Sequence, residues 1–263
     1  MESKLSFTTV VVALCCTFPA CATVRGDAPA SVNTSISAAS AYWFRGAPLN
    51  ERGALQGSLA VGLPLANGDT VSLSSWANMD VSDNSGDAVF PDGNGNQFSE
   101  VDLVATYTRS FENLQVSLGV LSYNFPNLVD TSTHELSLSA SGSLGPVGLS
   151  ASLYYDVDVL EDFYLSLAAN RGFTLAGPWS ANLNAQLGYM GSDQAAFYLG
   201  VAESAFSDLS AGGSLSYAYD PGTSLSLSAS YVSLVDSDFR DAADAAGLDD
   251  SSLIVSLGVA WSF

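Results

Sequence analysis

The chain has a single histidine, His134, so any serine–histidine nucleophile or histidine-held metal would have to be built around it. Serines abound, yet none stands in a G-x-S-x-G elbow, and neither an H-E-x-x-H pair nor a phosphate-binding glycine loop occurs. Acidic residues gather instead. Asp80, Asp83, Asp87 and Asp92 lie among glycines and asparagines, a composition that suits calcium, but the EF-hand spacing fails because the twelfth position counted from Asp92 is Leu103. This stretch, and the set Asp236, Asp238, Asp241, Asp244, Asp249 and Asp250, read as solvated acidic loops that divalent ions could bridge to anionic headgroups. No cofactor or catalytic group is implied. What remains is a scatter of isolated charges, Arg45, Glu100, Asp102, Glu135, Asp156 and Asp158, whose meaning depends on the elements that carry them.

Those elements are strands. In 251–263, Leu253, Val255, Leu257, Val259, Trp261 and Phe263 alternate with small or polar residues, a period of two that places them on one face. The alternation recurs through Leu55–Leu63, Leu114–Val120, Leu136–Leu144, Leu183–Tyr189 and Leu225–Tyr231. It predicts strands near 31–44, 53–65, 70–79, 99–110, 113–124, 134–144, 147–158, 162–174, 179–190, 207–219, 223–235 and 251–263. Links at 66–69, 110–112, 145–146, 176–178 and 220–222 are short and rich in turn formers. Those at 45–52, 80–98, 125–133, 191–206 and 236–250 are longer, with 159–161 the short exception. An even number of strands, with tight turns at one end and long loops at the other, is the plan of an outer-membrane, up-and-down antiparallel barrel of about twelve strands.

Export agrees with this plan. Lys4, the apolar run Phe7–Cys16 and the small residues Ala20-Cys21-Ala22 have the layout of a signal peptide, 1–22, with a short segment 23–30 before the barrel, 31–263. Phe18-Pro19-Ala20-Cys21 also resembles a poor lipobox, so lipidation of Cys21 stays open. All three cysteines, Cys15, Cys16 and Cys21, fall in the leader, which leaves no disulfide framework for the mature chain. With seven Lys+Arg against 27 Asp+Glu and a net charge of −20, nucleic-acid binding is excluded for want of a basic patch.

If the leucine face meets lipid, the residues between point inward. Many are serine: Ser137, Ser139, Ser141 and Ser143; Ser210, Ser214 and Ser216; Ser224, Ser226, Ser228 and Ser230. Small hydroxyls do not fill a twelve-stranded bore, so a water-filled lumen is expected. By the same parity Arg45, Glu100, Asp102, Glu135, Asp156 and Asp158 line that lumen near its outer end, and one arginine against five carboxylates implies weak cation preference. Arg45 could equally be held by a carboxylate as a structural pair. Arg109 and Arg171 take the outward parity, where they can snorkel to headgroups. Aromatic girdles are expected from Tyr42, Phe44 and Phe163 on the outer side and from Phe173, Trp179, Tyr219, Trp261 and Phe263 on the periplasmic side.

The C-terminal Ser256-x-Gly258-x-x-Trp261-x-Phe263 resembles the signal by which the barrel-assembly machinery recognises its clients. Ser40-Ala41-Tyr42-Trp43-Phe44-Arg45-Gly46, Ala54-Leu55-Gln56-Gly57, Glu100-Val101-Asp102-Leu103, Leu121-Ser122-Tyr123-Asn124-Phe125-Pro126 and Tyr154-Tyr155-Asp156 together resemble the TorF-like porin family of proteobacterial outer-membrane proteins. Ala41 stands where that family usually has aspartate. The resemblance covers roughly 33–263 and implies an outer-membrane barrel of porin type; together with the serine-lined bore it leads us to expect a monomer that passes ions and small polar solutes by diffusion. Tyr198-Leu199-Gly200-Val201 resembles, more faintly, barrels that scaffold murein-lytic enzymes. A non-conducting scaffold, closed by an inward-folded loop such as 80–98 or 191–206, is therefore the alternative to a porin.

Overall fold

The computed structural model describes residues 29–82, 95–126 and 132–263. The leader 1–22 with its three cysteines, and Asp83, Asp87 and Asp92, lie outside the described residues.

Twelve antiparallel strands close into a barrel. In chain order they are β1 (Ser31–Ala39), β4 (Ala54–Pro64), β5 (Thr70–Asp80), β6 (Gln97–Ser110), β7 (Leu114–Asn124), β8 (Thr133–Leu144), β9 (Val147–Asp156), β10 (Phe163–Thr174), β11 (Trp179–Met190), β12 (Ala205–Asp220), β13 (Thr223–Leu234) and β14 (Ser251–Ser262). β2 (Tyr42–Phe44) and β3 (Ala47–Asn50) form a separate two-stranded hairpin, and α1 (Ser192–Leu199) and α2 (Ser237–Ala246) are short helices in the long connections.

Closure is achieved by β1, which pairs on one side with β14 and on the other with β4, so that Ile36 faces Val259 across one seam and Gly57 across the other. Phe263 completes this seam by exchanging backbone hydrogen bonds with Val32. None of these twelve strands is left with an open edge, which is the condition for backbone to cross hydrocarbon. The period of two has the consequence expected of it: Leu59, Leu73, Leu103, Leu118, Leu138, Leu153, Leu167, Leu183, Leu227 and Leu257 are all exposed on the outer wall, an apolar band suited to lipid. Serines from neighbouring strands meet on the inner wall, where Ser35 bonds Ser58 at 2.7 Å and Ser139 bonds Ser152 at 2.8 Å.

The structure departs from expectation at the first strand. Predicted over 31–44, it ends at Ala39, and the hairpin 42–50 leaves the wall and turns inward. The reason is local. Arg45 and Gly46 both have positive φ, 51° and 87°, the pair of left-handed residues that a tight type I′ hairpin requires. Tyr42 and Phe44 therefore do not belong to an outer aromatic girdle: they sit on β2, inside the barrel, with Tyr42 5.3 Å from the inward Trp76 ring and Phe44 5.8 Å from Tyr123. The girdle residues Trp179, Tyr219 and Phe263 are exposed at the short-turn end, and Phe163 stacks on Tyr189 towards the other.

The two long connections expected to be loops contain capped helices. Asp236 accepts hydrogen bonds from the Asp238 and Phe239 amides at the start of α2, and Gly247 ends it in the left-handed conformation. α1 is capped from another loop, since Asp162 accepts from the Asp193 and Gln194 amides. Both helices pack on inward residues at the long-loop end, where Tyr164, Met190, Ala195, Leu234, Phe239 and Ala243 make a small apolar core.

Candidate functional site: a hairpin across the outer lumen

The inward hairpin reaches most of the barrel wall. At its base, Asn50 donates to Asp80 on β5 (2.6 Å), which also accepts from Asn78 (2.8 Å), and Asn78 in turn donates to Ser99 on β6 (2.8 Å). Midway, the Tyr42 hydroxyl donates to Glu100 on β6 (2.8 Å). At the tip, Gly46 lies against β12 and β13, where an added Cβ would stand 2.9 Å from Leu234 Cδ2 and 3.1 Å from Asp208 Cβ. Together with its positive φ, this close approach leaves glycine as the residue that fits.

Arg45 is the centre of the site. Its two terminal nitrogens donate to the two oxygens of Glu135 at 2.7 Å each, the fork-to-fork geometry that suits guanidinium and carboxylate. Nη1 also donates to Gln194 Oε1 (3.0 Å) from α1, and Nη2 points to the Tyr123 hydroxyl (3.4 Å). Three rings face the guanidinium carbon: Phe44 at 4.7 Å, Tyr164 at 4.7 Å and Tyr154 at 5.1 Å. The Arg45 side chain is 6% exposed and that of Glu135 3%. Burial alone would lower the Arg45 pKa, but the bonds and charge of Glu135 outweigh it and hold the group above its ordinary value.

The other sequence-predicted lumen charges are placed unevenly. Glu100 is buried beside the hairpin as the partner of Tyr42; Asp102 is its inward neighbour on β6, with Oδ1 buried and unpartnered among the described residues. Asp156 is buried but serves the β9–β10 turn, accepting from the amides of Asp158, Val159 and Leu160 and from the Thr133 hydroxyl. Asp158 stands apart from this cluster. It lies in the bend beyond β9, half exposed, 3.0 Å from the His134 ring. Arg109 and Arg171 lie outside the lumen with their guanidinium groups over Phe111 and Phe173.

Several site residues escaped sequence reasoning. Tyr123, Tyr154, Tyr164 and Asp208 all have inward parity, so the signal was present. The convergence of the three tyrosines on one arginine was not, because even Tyr123 lies 78 positions from Arg45 in sequence. Asp208 accepts from the Tyr164 hydroxyl (3.0 Å) and from Ser207 (2.7 Å), extending the polar network to β12.

The fold is that of known outer-membrane channels. A channel from Pseudomonas putida F1 superposes with a TM-score of 0.58 at 13% identity, over 92% of this chain and 100% of that one. The NanC porin does so with a TM-score of 0.50 at 13% identity, over 89% of this chain and 99% of that one. At such identities the likeness is one of fold. No curated protein matches the sequence significantly. The profile of Gcw_chp, described as a bacterial protein of unknown function, matches residues 23–258, and the chain belongs to that family.

Proposed function

We propose that the protein is a porin-like outer-membrane channel with a narrowed outer mouth, passing small ions and polar solutes by diffusion, with weak cation preference and without chemistry. The observation that carries this reading is the contrast between an inner wall of serine hydroxyls and the level at which the hairpin meets Glu100, Glu135 and Asp208. Arg45 is engaged by Glu135, so the charge left over at this level is that of the carboxyl groups of Glu100, Asp102 and Asp208. Glu100, Asp102 and Arg45 are the assigned pore-lining residues at this level, with Glu135 holding Arg45. Asp156, the cross-strand partner of Glu135, and Asp158, half exposed in the bend beyond β9, complete the proposed lining towards the rim.

The narrower TorF-like relationship is part of the same proposal, supported by the motif Tyr42-Trp43-Phe44-Arg45-Gly46, which forms the hairpin itself. So are removal of the leader 1–22, a monomeric state, and recognition by the assembly machinery through Ser256, Gly258, Trp261 and Phe263 on the closing seam of β14. Planar-bilayer recording of the refolded barrel tests the channel: small steady conductance with a cation-favouring reversal potential is expected, and a reversal potential near zero or favouring anions would remove the selectivity claim.

One observation favours a second reading, a closed scaffold barrel. The hairpin is bonded or packed to β5, β6, β7, β8, β10, β12 and β13, a ring of contacts that suits a permanent plug. A folded barrel that stays silent in the bilayer, but conducts once residues 42–50 are replaced by a short Gly/Ser link, would favour it.

A further inference from the structure

The surroundings of Arg45 have the composition of a binding site for an organic cation. Most of the cage belongs to the wall and its helix: Tyr123 from β7, Glu135 from β8, Tyr154 from β9, Tyr164 from β10 and Gln194 from α1, with Phe44 alone coming from the hairpin. Four of these groups, Tyr123, Glu135, Tyr164 and Gln194, are also held by bonds that do not involve Arg45. The Tyr123 hydroxyl donates to Glu135 Oε2 (2.9 Å), the Tyr164 hydroxyl donates to Asp208 (3.0 Å), and the Gln194 amide nitrogen donates to the Asp162 carbonyl (3.2 Å). The last of these turns Gln194 Oε1 towards the centre of the cage. An acceptor fork, a further acceptor and aromatic faces are therefore held in place whether or not the arginine is there.

The arginine, by contrast, arrives on a backbone that has to be bent to deliver it. Arg45 has φ of 51°, a conformation that a long side chain seldom adopts, and it depends on Gly46 beside it. We propose that this cage is a receptor site for guanidinium-bearing solutes, and that the chain's own Arg45 occupies it as an internal stand-in ligand. A guanidinium satisfies the site better than an ammonium ion of equal charge, because a planar fork can meet both Glu135 oxygens while presenting flat faces to the rings. As a solute-selecting element the cage rests on the channel reading above; as a binding site it does not.

Vacating the cage tests this. The Arg45→Ala barrel is melted in detergent with methylguanidinium and, separately, with methylammonium at the same concentration. Methylguanidinium should raise the melting temperature saturably, by roughly 2–4 °C at occupancies that contribute modest binding energy. Methylammonium should raise it less, and the Arg45→Ala/Glu135→Gln barrel should respond to neither. Equal shifts with the two cations, no shift at all, or a shift that survives Glu135→Gln would overturn the proposal. Should Arg45→Ala fail to refold alone, its refolding yield with each cation becomes the readout, and a yield that methylguanidinium leaves no higher than methylammonium does counts against the site. Bilayer current separates the two readings: a silent barrel that still shows the selective shift removes the channel and keeps the receptor site, whereas a conducting barrel without the shift does the reverse.

Discussion

The two halves of the lumen are built on different principles. Towards the short turns the inner wall is a repetitive lattice of small hydroxyls, in which Ser139 and Ser152, or Thr108 and Ser117, bond across neighbouring strands. Towards the long loops, side chains from β5 to β13 converge on one hairpin, and each contact joins groups distant in sequence. The first region is specified by pattern, the second by particular residues. A barrel needs the pattern to exist; the particular residues decide what its mouth does.

If this contrast is right, the largest effect on stability should come from the centre of the outer half. Arg45→Ala leaves Glu135 buried without its cation, and Glu135→Ala does the converse, so either should cost about 3–5 kcal/mol in urea unfolding of the folded barrel. Replacing both by apolar residues of similar volume, Arg45→Met with Glu135→Leu, should recover most of that loss, since a buried pair exchanged for packing is often close to neutral. Singles that cost no more than a surface change would break the contrast. Replacing residues 42–50 by a short Gly/Ser link should next raise single-channel conductance several-fold, because the hairpin extends across the outer lumen from β5 to β13. Gly46→Val should be intermediate, about 1–2 kcal/mol from its backbone conformation alone and more through the contact with Leu234.

How much of each half was legible in the sequence follows the same division. Period-two alternation located β14, predicted over 251–263 and found at Ser251–Ser262, because a strand between lipid and water is constrained residue by residue. The first strand was read too long because Tyr42, Trp43 and Phe44 look like a strand end with an aromatic girdle. Only the positive φ of Arg45 and Gly46 shows that they form a hairpin of their own. Arg45 and Glu135 could be read as facing the lumen, and a structural pairing of Arg45 with a carboxylate was one of the readings open. Which carboxylate it meets depends on barrel closure, which brings together residues 90 positions apart. α2 left a trace that alternation counting passes over: Asp236 as a cap and Gly247 as a stop bracket a run of alanines, so the acidic set 236–250 is partly helix rather than loop.

The smallest expected effect is the most diagnostic of the repetitive half. Ser139 faces the lumen, and its hydroxyl bond to Ser152 can be replaced by water. Ser139→Ala should therefore change stability by no more than about 0.5 kcal/mol, within the range of surface substitutions. It should leave conductance and reversal potential unaltered, since the narrow level lies with the hairpin and not with this serine. Serial alanine substitution of Ser137, Ser139, Ser141, Ser150 and Ser152 sharpens the point. Independent, water-exchangeable hydroxyls predict small and additive losses. A cooperative loss well beyond the sum would mean that the serine lattice is a connected network, and that the inner half is as specifically built as the outer one.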